Sequence, residues 1–447
     1  MDTPICSFVQ KYVSEGNVRM HMPAHKGKGA PVNLCDITEI RGADSLYSAD
    51  GIIKKSEQNA GKLFGSHTFY STEGSSLSIR AMLYLITLYA KERGHKRIKI
   101  AAARNAHKAF VSAAALLDVD VDWLIAESPS YLCCRLCAAD VAKYLDATDE
   151  LPIAVYITSP DYLGNMSDVG EIARVCHERG VLLAVDNAHG AYLNFLQQSQ
   201  HPIALGADVC CDSVHKTLPV LTGGAYLHVS RRAPKSFADR AKDAMALFGS
   251  TSPSYLILAS LDAANKYISD GYCERLARFV ASLDTLRACL LTHGYTLCGD
   301  EPMKLTIASK SYGYTGTELA QYLDTKGIVV EFADPDFAVL MPSVETNDDE
   351  LARLCDALIS LPRRAEIKEK APHFALPERK MSIREAVMSD CEYLPVCECE
   401  GRVLGAVTVG CPPAVPIAAS GEMIDRNTIK CFEYYGIDKC AVVKKNV

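Results

Sequence analysis

Between about residues 75 and 229, the spacing of apolar residues alternates between two patterns. Apolar residues at every third or fourth position predict helices, and short continuous apolar runs predict strands buried on both faces. The predicted helices are Ser75–Arg93, His107–Leu117, Arg135–Leu145 and Val169–Gly180, and the predicted strands are Arg97–Ala103, Val119–Ile125, Ile153–Thr158, Val181–Asp186, Ala207–Asp212 and Gly224–His228. This alternation predicts an α/β fold with a mostly parallel sheet, in which ligands bind beyond the carboxyl ends of the strands.

After about Leu261 the pattern becomes that of a smaller α+β region. The elements predicted there are a long amphipathic stretch at Tyr267–His293, strands at Met303–Ala308, Ile328–Phe332 and Phe337–Met341, and helices at Thr317–Lys326 and Asp348–Ile359. A Pro- and charge-rich joint then leads to a segment rich in Val, Pro and Gly. We therefore predict an N-terminal arm over residues 1–50, a large α/β domain over 51–262, and a small α+β domain over 263–447 with an appendage from about residue 371.

Composition excludes several classes of function. The chain has 447 residues, with 47 basic and 54 acidic side chains, so its net charge is −7 and it has no general attraction for nucleic acid or anionic membranes. No apolar run approaches the roughly 20 residues that span a bilayer. The first residues, Met1-Asp2-Thr3-Pro4, do not resemble a secretory signal. We expect a soluble cytoplasmic protein.

The chain has 18 cysteines, several of them inside apolar runs, and we expect them to be reduced thiols. Two groups have spacings that could suggest a metal site: Cys133 and Cys134 with Cys137, and Cys397 with Cys399. Both lack the second Cys pair or the His pair of a structural zinc site. We therefore predict no metal centre.

Two charged residues follow neighbouring predicted strands. Asp186 ends an apolar strand, and a carboxylate there needs a cationic partner, such as the protonated pyridine nitrogen of pyridoxal phosphate. Lys216 follows the next strand in Ser213-Val-His215-Lys, where its amine could form a Schiff base while Ser213 and His215 contact the cofactor phosphate. Alone, the aspartate could be a cap or an ion-pair partner and the lysine a surface residue. As a pair at strand ends, they favour a cofactor site.

Two further segments fit the same site with weaker specificity. Small residues over Ser71–Ser76 precede a helix, where Gly74, Ser75 and Ser76 could bind phosphate at the positive helix end. His107 follows a strand and could stack on the pyridine ring, although such a histidine is more often a cap or a core residue.

Together these segments resemble the Orn/Lys/Arg decarboxylase family of fold-type-I pyridoxal-phosphate enzymes. The resemblance extends over nearly the whole chain, in the order His21–Gly27, the phosphate loop, Arg104–Lys108, Thr158–Gly164, Asp186–Ala191, Ser213–Lys216, Ser250–Tyr255, Leu376–Glu378, Pro412–Pro416 and Gly421–Glu422. It implies a fold-type-I fold, a pyridoxal 5′-phosphate cofactor and decarboxylation of a basic amino acid, a small-molecule substrate. Departures such as Asn187, where relatives often have glutamate, weaken inference about which amino acid is used.

The resemblance also implies a role for each matching residue. Lys216 would be the Schiff-base lysine, Asp186 the pyridinium partner, His107 the stacking residue and His189 a neighbour of the cofactor 3′-oxygen. Gly74, Ser75, Ser76, Ser213 and His215 would bind phosphate. Glu422 first, then Glu378 and Asp44, are candidates for the distal cation of the substrate, since a buried cation needs an acidic partner. For Glu422, a solvated turn residue is an equally weighted alternative.

The resemblance leaves the substrate open among arginine, lysine and ornithine, with arginine favoured because the chain matches the short, biosynthetic type. The products would be amines of polyamine metabolism. Alternatives are another reaction on the same fold, such as that of an aminotransferase, aldolase or lyase, or a catalytically silent cofactor-binding protein. Segments His21–Gly27 and Asp44–Gly51 precede the sheet, and in relatives such segments complete the partner's site. We therefore expect a homodimer or a higher homo-oligomer.

Overall fold

A computed structural model describes residues 1–126, 128, 130–407 and 413–445. Pro412, the first residue of the late Pro-rich motif, lies outside this part of the chain. Within it, no helix combines the length and apolar character needed to cross a bilayer. The cysteines in this part are free thiols, without disulfide bonds.

The largest sheet is formed by seven strands. They are β1 (His67–Ser71), β2 (Ile98–Ala103), β3 (Val119–Leu124), β4 (Ala154–Thr158), β5 (Leu182–Asp186), β6 (Val209–Asp212) and β7 (Ala225–Val229). Their order is β1-β7-β6-β5-β4-β2-β3. β5 and β6 are parallel, as are β2 and β3, whereas β7 is antiparallel to β6 and β1. The α/β fold class with a mostly parallel sheet is confirmed. The antiparallel strand β1 was not predicted, since its sequence, HTFYS, has no apolar run.

Fourteen helices are present in the described residues. They are α1 (Pro4–Ser14), α2 (Ile52–Phe64), α3 (Gly74–Glu92), α4 (Lys108–Leu117), α5 (Ala138–Ala147), α6 (Val169–Glu178), α7 (Pro202–Leu205), α8 (Lys235–Ala246), α9 (Tyr255–Ser269), α10 (Tyr272–Thr292), α11 (Gly316–Thr325), α12 (Asp348–Ile359), α13 (Ile383–Met388) and α14 (Arg426–Tyr434). Single 3-10 turns occur at Pro31–Leu34, Leu46–Ser48, Ala191–Phe195, Val214–Lys216, Ser309–Tyr312 and Val396–Glu398. The prediction of one continuous amphipathic stretch over Tyr267–His293 is wrong. The stretch is the end of α9 and the whole of α10, separated around Gly271, whose φ of +67° interrupts a right-handed helix.

The chain forms two compact units, and each is built from separate segments. The first unit contains residues 1–96, 153–156 and 169–275, and the second contains residues 97–152, 157–168 and 276–447. These divisions differ from the predicted boundaries at residues 50 and 262. Residues 1–50 join the first unit because α1 packs on α9, where the Asp262 carboxylate accepts hydrogen bonds from the amides of Ile5 and Cys6.

The second unit contains two antiparallel sheets. Their strands are β8 (Leu297–Cys298), β9 (Leu305–Ala308), β10 (Phe332–Ala333), β11 (Phe337–Leu340), β12 (Cys391–Pro395), β13 (Leu404–Ala406) and β14 (Lys439–Val443). Their orders are β10-β11-β9-β8 and β12-β14-β13. Of the strand predicted at Ile328–Phe332, only Phe332 lies in a strand, the two-residue β10.

The segment predicted as an appendage is part of the hydrophobic core of the second unit. Val339 in β11 and Phe432 in α14 belong to the same buried cluster, together with Val442 in β14. The amide of Lys108 at the start of α4 also donates a hydrogen bond to the carbonyl of Ala414. Residues 97–152 therefore belong with the C-terminal part of the chain because the late segment packs against them.

Candidate active site

The predicted aspartate and lysine lie at the ends of two adjacent parallel strands of the first unit. Asp186 is the last residue of β5, and Cα pairing places it opposite Cys211 of β6. β6 ends at Asp212 and leads directly into the turn Val214–Lys216. Because the carboxyl ends of parallel strands meet at the same sheet edge, the two chemical groups are positioned by the sheet itself.

The Asp186 carboxylate is buried and holds three hydrogen bonds. Its Oδ1 accepts from the amide of Ala188 (3.1 Å) and from the thiol of Cys211 (3.5 Å), and its Oδ2 accepts from the hydroxyl of Tyr156 (3.2 Å). Burial raises the pKa of Asp186, and the positive charge of Lys216 acts in the opposite direction. The site therefore contains a desolvated carboxylate that a further cation would keep ionised.

Lys216 and His189 are brought together in the first unit. The Lys216 Nζ lies 3.0 Å from the His189 Nε2. An ammonium group can only donate, so the imidazole nitrogen accepts this hydrogen bond. The amine thus has a fixed position near the loop that follows Asp186.

The predicted phosphate loop connects β1 to α3. Gly74 begins α3 with φ of +70°, a conformation that side-chain-bearing residues rarely adopt, and its amide donates to the carbonyl of Gly223. The Ser213 hydroxyl donates to the Ser75 hydroxyl at 2.8 Å, and Ser76 lies in the same first turn of α3. The structure therefore brings the serines from two distant segments together at the helix N-terminus.

These residues fit pyridoxal phosphate by the chemistry of their side chains. The start of the 19-residue helix α3 and the paired hydroxyls of Ser75 and Ser213 are suited to a phosphate dianion. Asp186 provides a buried carboxylate, and Lys216 an amine. His215 uses Nδ1 to donate to the carbonyl of Gly224 at 3.0 Å, so only its other ring nitrogen could reach phosphate.

His107 belongs to the second unit and caps a helix there. It is the N-cap residue of α4, and its Nδ1 accepts a hydrogen bond from the amide of Ala109 at 3.1 Å. This is the capping role that the sequence left open beside ring stacking. The stacking role stays a prediction.

Glu422 is not a solvated turn residue, because it forms a buried ion pair in the second unit. Its Oε2 accepts from the Arg104 guanidinium (3.0 Å) and from the amide of Ala419 (2.7 Å), and both charged side chains are at most 3% exposed. Arg104 also donates to the carbonyls of Pro416 and Ile417. Burial raises the pKa of Glu422, and Arg104 opposes this shift. The pair joins the end of β2 to the late Pro-rich segment, and the predicted contact with substrate stays a prediction.

Replacing Glu422 with glutamine should destabilise the protein by about 3 kcal/mol, because the buried guanidinium loses its counter-charge. Thermal unfolding measures this loss. Glu378→Gln is the matched control, since the Glu378 side chain is more than half exposed and pairs with the exposed Lys380, so its loss should cost about 0–1 kcal/mol. Equal melting temperatures for both variants would contradict the structural role of Glu422. A raised KM for the basic substrate with unaltered cofactor absorption would support the predicted substrate contact.

Asp44 and Glu378, the other predicted contacts of the substrate, have different surroundings. The Asp44 carboxylate is buried and accepts from the amides of Ser45, Asp50, Gly51, Ile53 and Lys54. It therefore organises the start of α2, which accounts for its burial without a substrate. Glu378 accepts from Lys380 at the surface.

Sequence reasoning missed the residues that surround the predicted site. Tyr156 lies in an otherwise apolar predicted strand, and a buried hydroxyl there needs a hydrogen-bond partner. Asp212 accepts hydrogen bonds from His201 (3.1 Å), His228 (3.1 Å) and Asn187 (2.7 Å), all buried. Although burial alone would raise the pKa of Asp212, its contacts with His201 and His228 hold that pKa low. Asn187, noted only as a departure, thus ties the loop after β5 to the end of β6.

The model of a known protein family, described as Orn/Lys/Arg decarboxylase, major domain, matches residues 3–290. The chain belongs to the Orn/Lys/Arg decarboxylase family. The predicted family is confirmed, and the chain is therefore an enzyme, a decarboxylase of the pyridoxal-phosphate-dependent type.

Full-length relatives support this family membership. An arginine decarboxylase of Halalkalibacterium halodurans is 29% identical over 469 residues, which cover 96% of this chain and 92% of the relative. An arginine decarboxylase of Bacillus subtilis is 28% identical over 470 residues, with the same coverage. Among solved structures, the lysine decarboxylase of Francisella novicida has a TM-score of 0.80 and 17% identity, covering 99% of this chain and 81% of that one. At this identity the last comparison shows the fold alone.

Proposed function

We propose that this decarboxylase acts on arginine, uses pyridoxal 5′-phosphate held by Lys216 and Asp186, and releases the corresponding amine for polyamine metabolism. The main support is the arrangement of the first unit. Asp186 and Lys216 lie at the carboxyl ends of the adjacent strands β5 and β6, and Ser213 donates a hydrogen bond to Ser75 at the start of α3. The preference for arginine over lysine rests on the named full-length relatives, which are arginine decarboxylases.

In this proposal each residue of the first unit has a distinct task. Bound pyridoxal phosphate supplies an electron sink for the electron pair left when the Cα–carboxylate bond breaks. Ser75, Ser213 and the first turn of α3 hold the phosphate, and the Asp186 carboxylate keeps the proton on the ring nitrogen. Lys216 provides the amine that binds the cofactor, and His189 fixes the position of that amine.

The proposed function is tested by separate incubations of cofactor-loaded protein with arginine, lysine and ornithine. We expect release of CO2 and of one amine in equal amounts, fastest with arginine. CO2 release from lysine alone would overturn the substrate assignment and leave the decarboxylase class unaffected. A keto acid as the main product would instead indicate an aminotransferase.

The N-terminal arm supports the further proposal of a homodimer. Val18, Met20 and Met22 are 80%, 87% and 68% exposed, which is unusual for apolar side chains in one short segment. A second copy of the chain would cover them in a closed two-fold assembly. Light scattering of the active protein should give at least twice the mass of 48.6 kDa. A fully active sample with the mass of one chain would exclude the dimer.

A further inference from the structure

Three neighbouring strands of the first unit contribute to the hydrogen bonds around Asp186. Tyr156 of β4 donates its hydroxyl to Oδ2 at 3.2 Å, and Cys211 of β6 donates its thiol to Oδ1 at 3.5 Å. Both donors and the carboxylate are buried. Because strands fix side-chain direction, the carboxylate is held from two sides by groups with little freedom to move.

Both donors stay protonated near neutral pH. Burial and the nearby Asp186 charge raise the pKa of the Tyr156 phenol well above its usual value, and the same causes raise the pKa of the Cys211 thiol. Neither group therefore becomes a phenolate or a thiolate, which would repel the Asp186 carboxylate instead of donating to it. A histidine in the same place would exchange protons near neutral pH.

We infer that Tyr156 and Cys211 are positioning residues for the reaction, which fix the Asp186 carboxylate in one orientation and preserve its negative charge toward the ring nitrogen of the cofactor. This inference rests on the proposed function, since it assigns Asp186 as the partner of that nitrogen. Both are assigned to act through Asp186, to which they donate, and not on the reacting bond itself.

The physical basis is the basicity of the carboxylate. A hydrogen bond to an ionised carboxylate stabilises the charged form and so makes the group a weaker base. A weaker base beside the ring nitrogen leaves the shared proton on nitrogen, where it is needed for electron withdrawal. Without these donors the proton would move toward Asp186, and the ring would become a poorer electron sink.

The first test uses cofactor-free protein and Tyr156→Phe, which keeps the ring and removes only the hydroxyl. Infrared titration follows the carboxyl band of protonated Asp186, identified by its absence in Asp186→Asn. We expect the proton affinity of Asp186 to rise about tenfold in Tyr156→Phe, as loss of a hydrogen bond to a charged group predicts. Tyr226→Phe is the matched control, because Tyr226 is equally buried in the same unit and its hydroxyl has no hydrogen-bond partner among the described residues.

The second test uses the loaded enzyme. Tyr156→Phe should lower kcat about tenfold with an unchanged KM and unchanged cofactor content, and should shift the pH dependence of cofactor absorption. Cys211→Ala should change these quantities in the same direction by a smaller amount, since its bond is longer. Cys210→Ala is its control, because Cys210 is the adjacent buried thiol of the same strand.

The outcomes separate this inference from the proposed function. Wild-type titration of Asp186 in Tyr156→Phe, with normal kcat, would overturn the positioning role and leave Tyr156 as a packing residue. A wild-type protein that retains no cofactor and releases no CO2 would overturn the proposed function. In that case the infrared titration would still measure the effect of Tyr156 on Asp186. Should Tyr156→Phe fail to fold, Cys211→Ala provides the same test.

Discussion

Replacing Lys216 with alanine should reduce CO2 release to background and remove the absorption of lysine-bound cofactor. Lys216 is placed by the turn after β6, where its Nζ lies 3.0 Å from His189 Nε2. Lys235 and Lys242 come later in the chain, on α8, and Lys242 is already paired with the buried Glu57. A Schiff base needs an amine at one position, and alanine offers none.

The fold should survive this replacement, because Lys216 makes no contribution to the hydrophobic core. Circular dichroism and the melting temperature check this point. Lys235→Ala removes an exposed lysine from the same unit and should leave both activity and absorption unchanged. Substantial activity in the Lys216→Ala variant would show that another lysine binds the cofactor.

The fold class and the centre of the site could be predicted because local sequence encodes them. Apolar runs such as 153–158 and 181–186 correspond to β4 and β5 within a residue or two. Burying a charged residue at or near the end of such a run costs free energy unless the charge has a partner, so Asp186 and Lys216 were predicted as site residues. Strands at the centre of a parallel sheet show this contrast most clearly.

Other features depend on contacts between distant segments, which sequence patterns do not encode. The two compact units each contain separate pieces of the chain, so no linear boundary could describe them. The burial of Glu422 depends on its ion pair with Arg104, which lies 318 residues earlier, and the Gly421-Glu422 motif does not indicate that partner. Asp44 lies several residues before α2, whose N-cap residue is Gly51. Folding of the intervening loop brings five backbone amides to the Asp44 carboxylate.

The roles of neutral donors were also invisible in the sequence. Tyr156 and Cys211 read as members of apolar strands because tyrosine and cysteine are common in cores. Their importance depends on whether their side chains face Asp186, and for Cys211 that depends on the pairing register of β5 with β6.

Replacing Asp186 with asparagine should slow catalysis by about a hundredfold or more while most of the cofactor stays bound. The change leaves intact the amine of Lys216 and the two serines proposed to bind the phosphate, Ser75 and Ser213, so the affinity for the cofactor should fall little. An amide carries no charge to hold a proton on the ring nitrogen, and loss of one fixed electrostatic group at a reacting centre typically costs about 100- to 1000-fold in rate.

The comparison with a surface carboxylate makes this prediction specific. Asp243→Asn removes one negative charge from an exposed position on α8 and should leave kcat unchanged. Parallel measurements of kcat, KM and cofactor content distinguish a rate effect from a binding effect. Near-normal turnover in Asp186→Asn would count against its assignment as the partner of the ring nitrogen. Tyr156 and Cys211 are inferred to act only through Asp186. The effects of Tyr156→Phe and Asp186→Asn should therefore not add: Tyr156→Phe should slow the wild-type enzyme about tenfold, but should slow the Asp186→Asn variant far less.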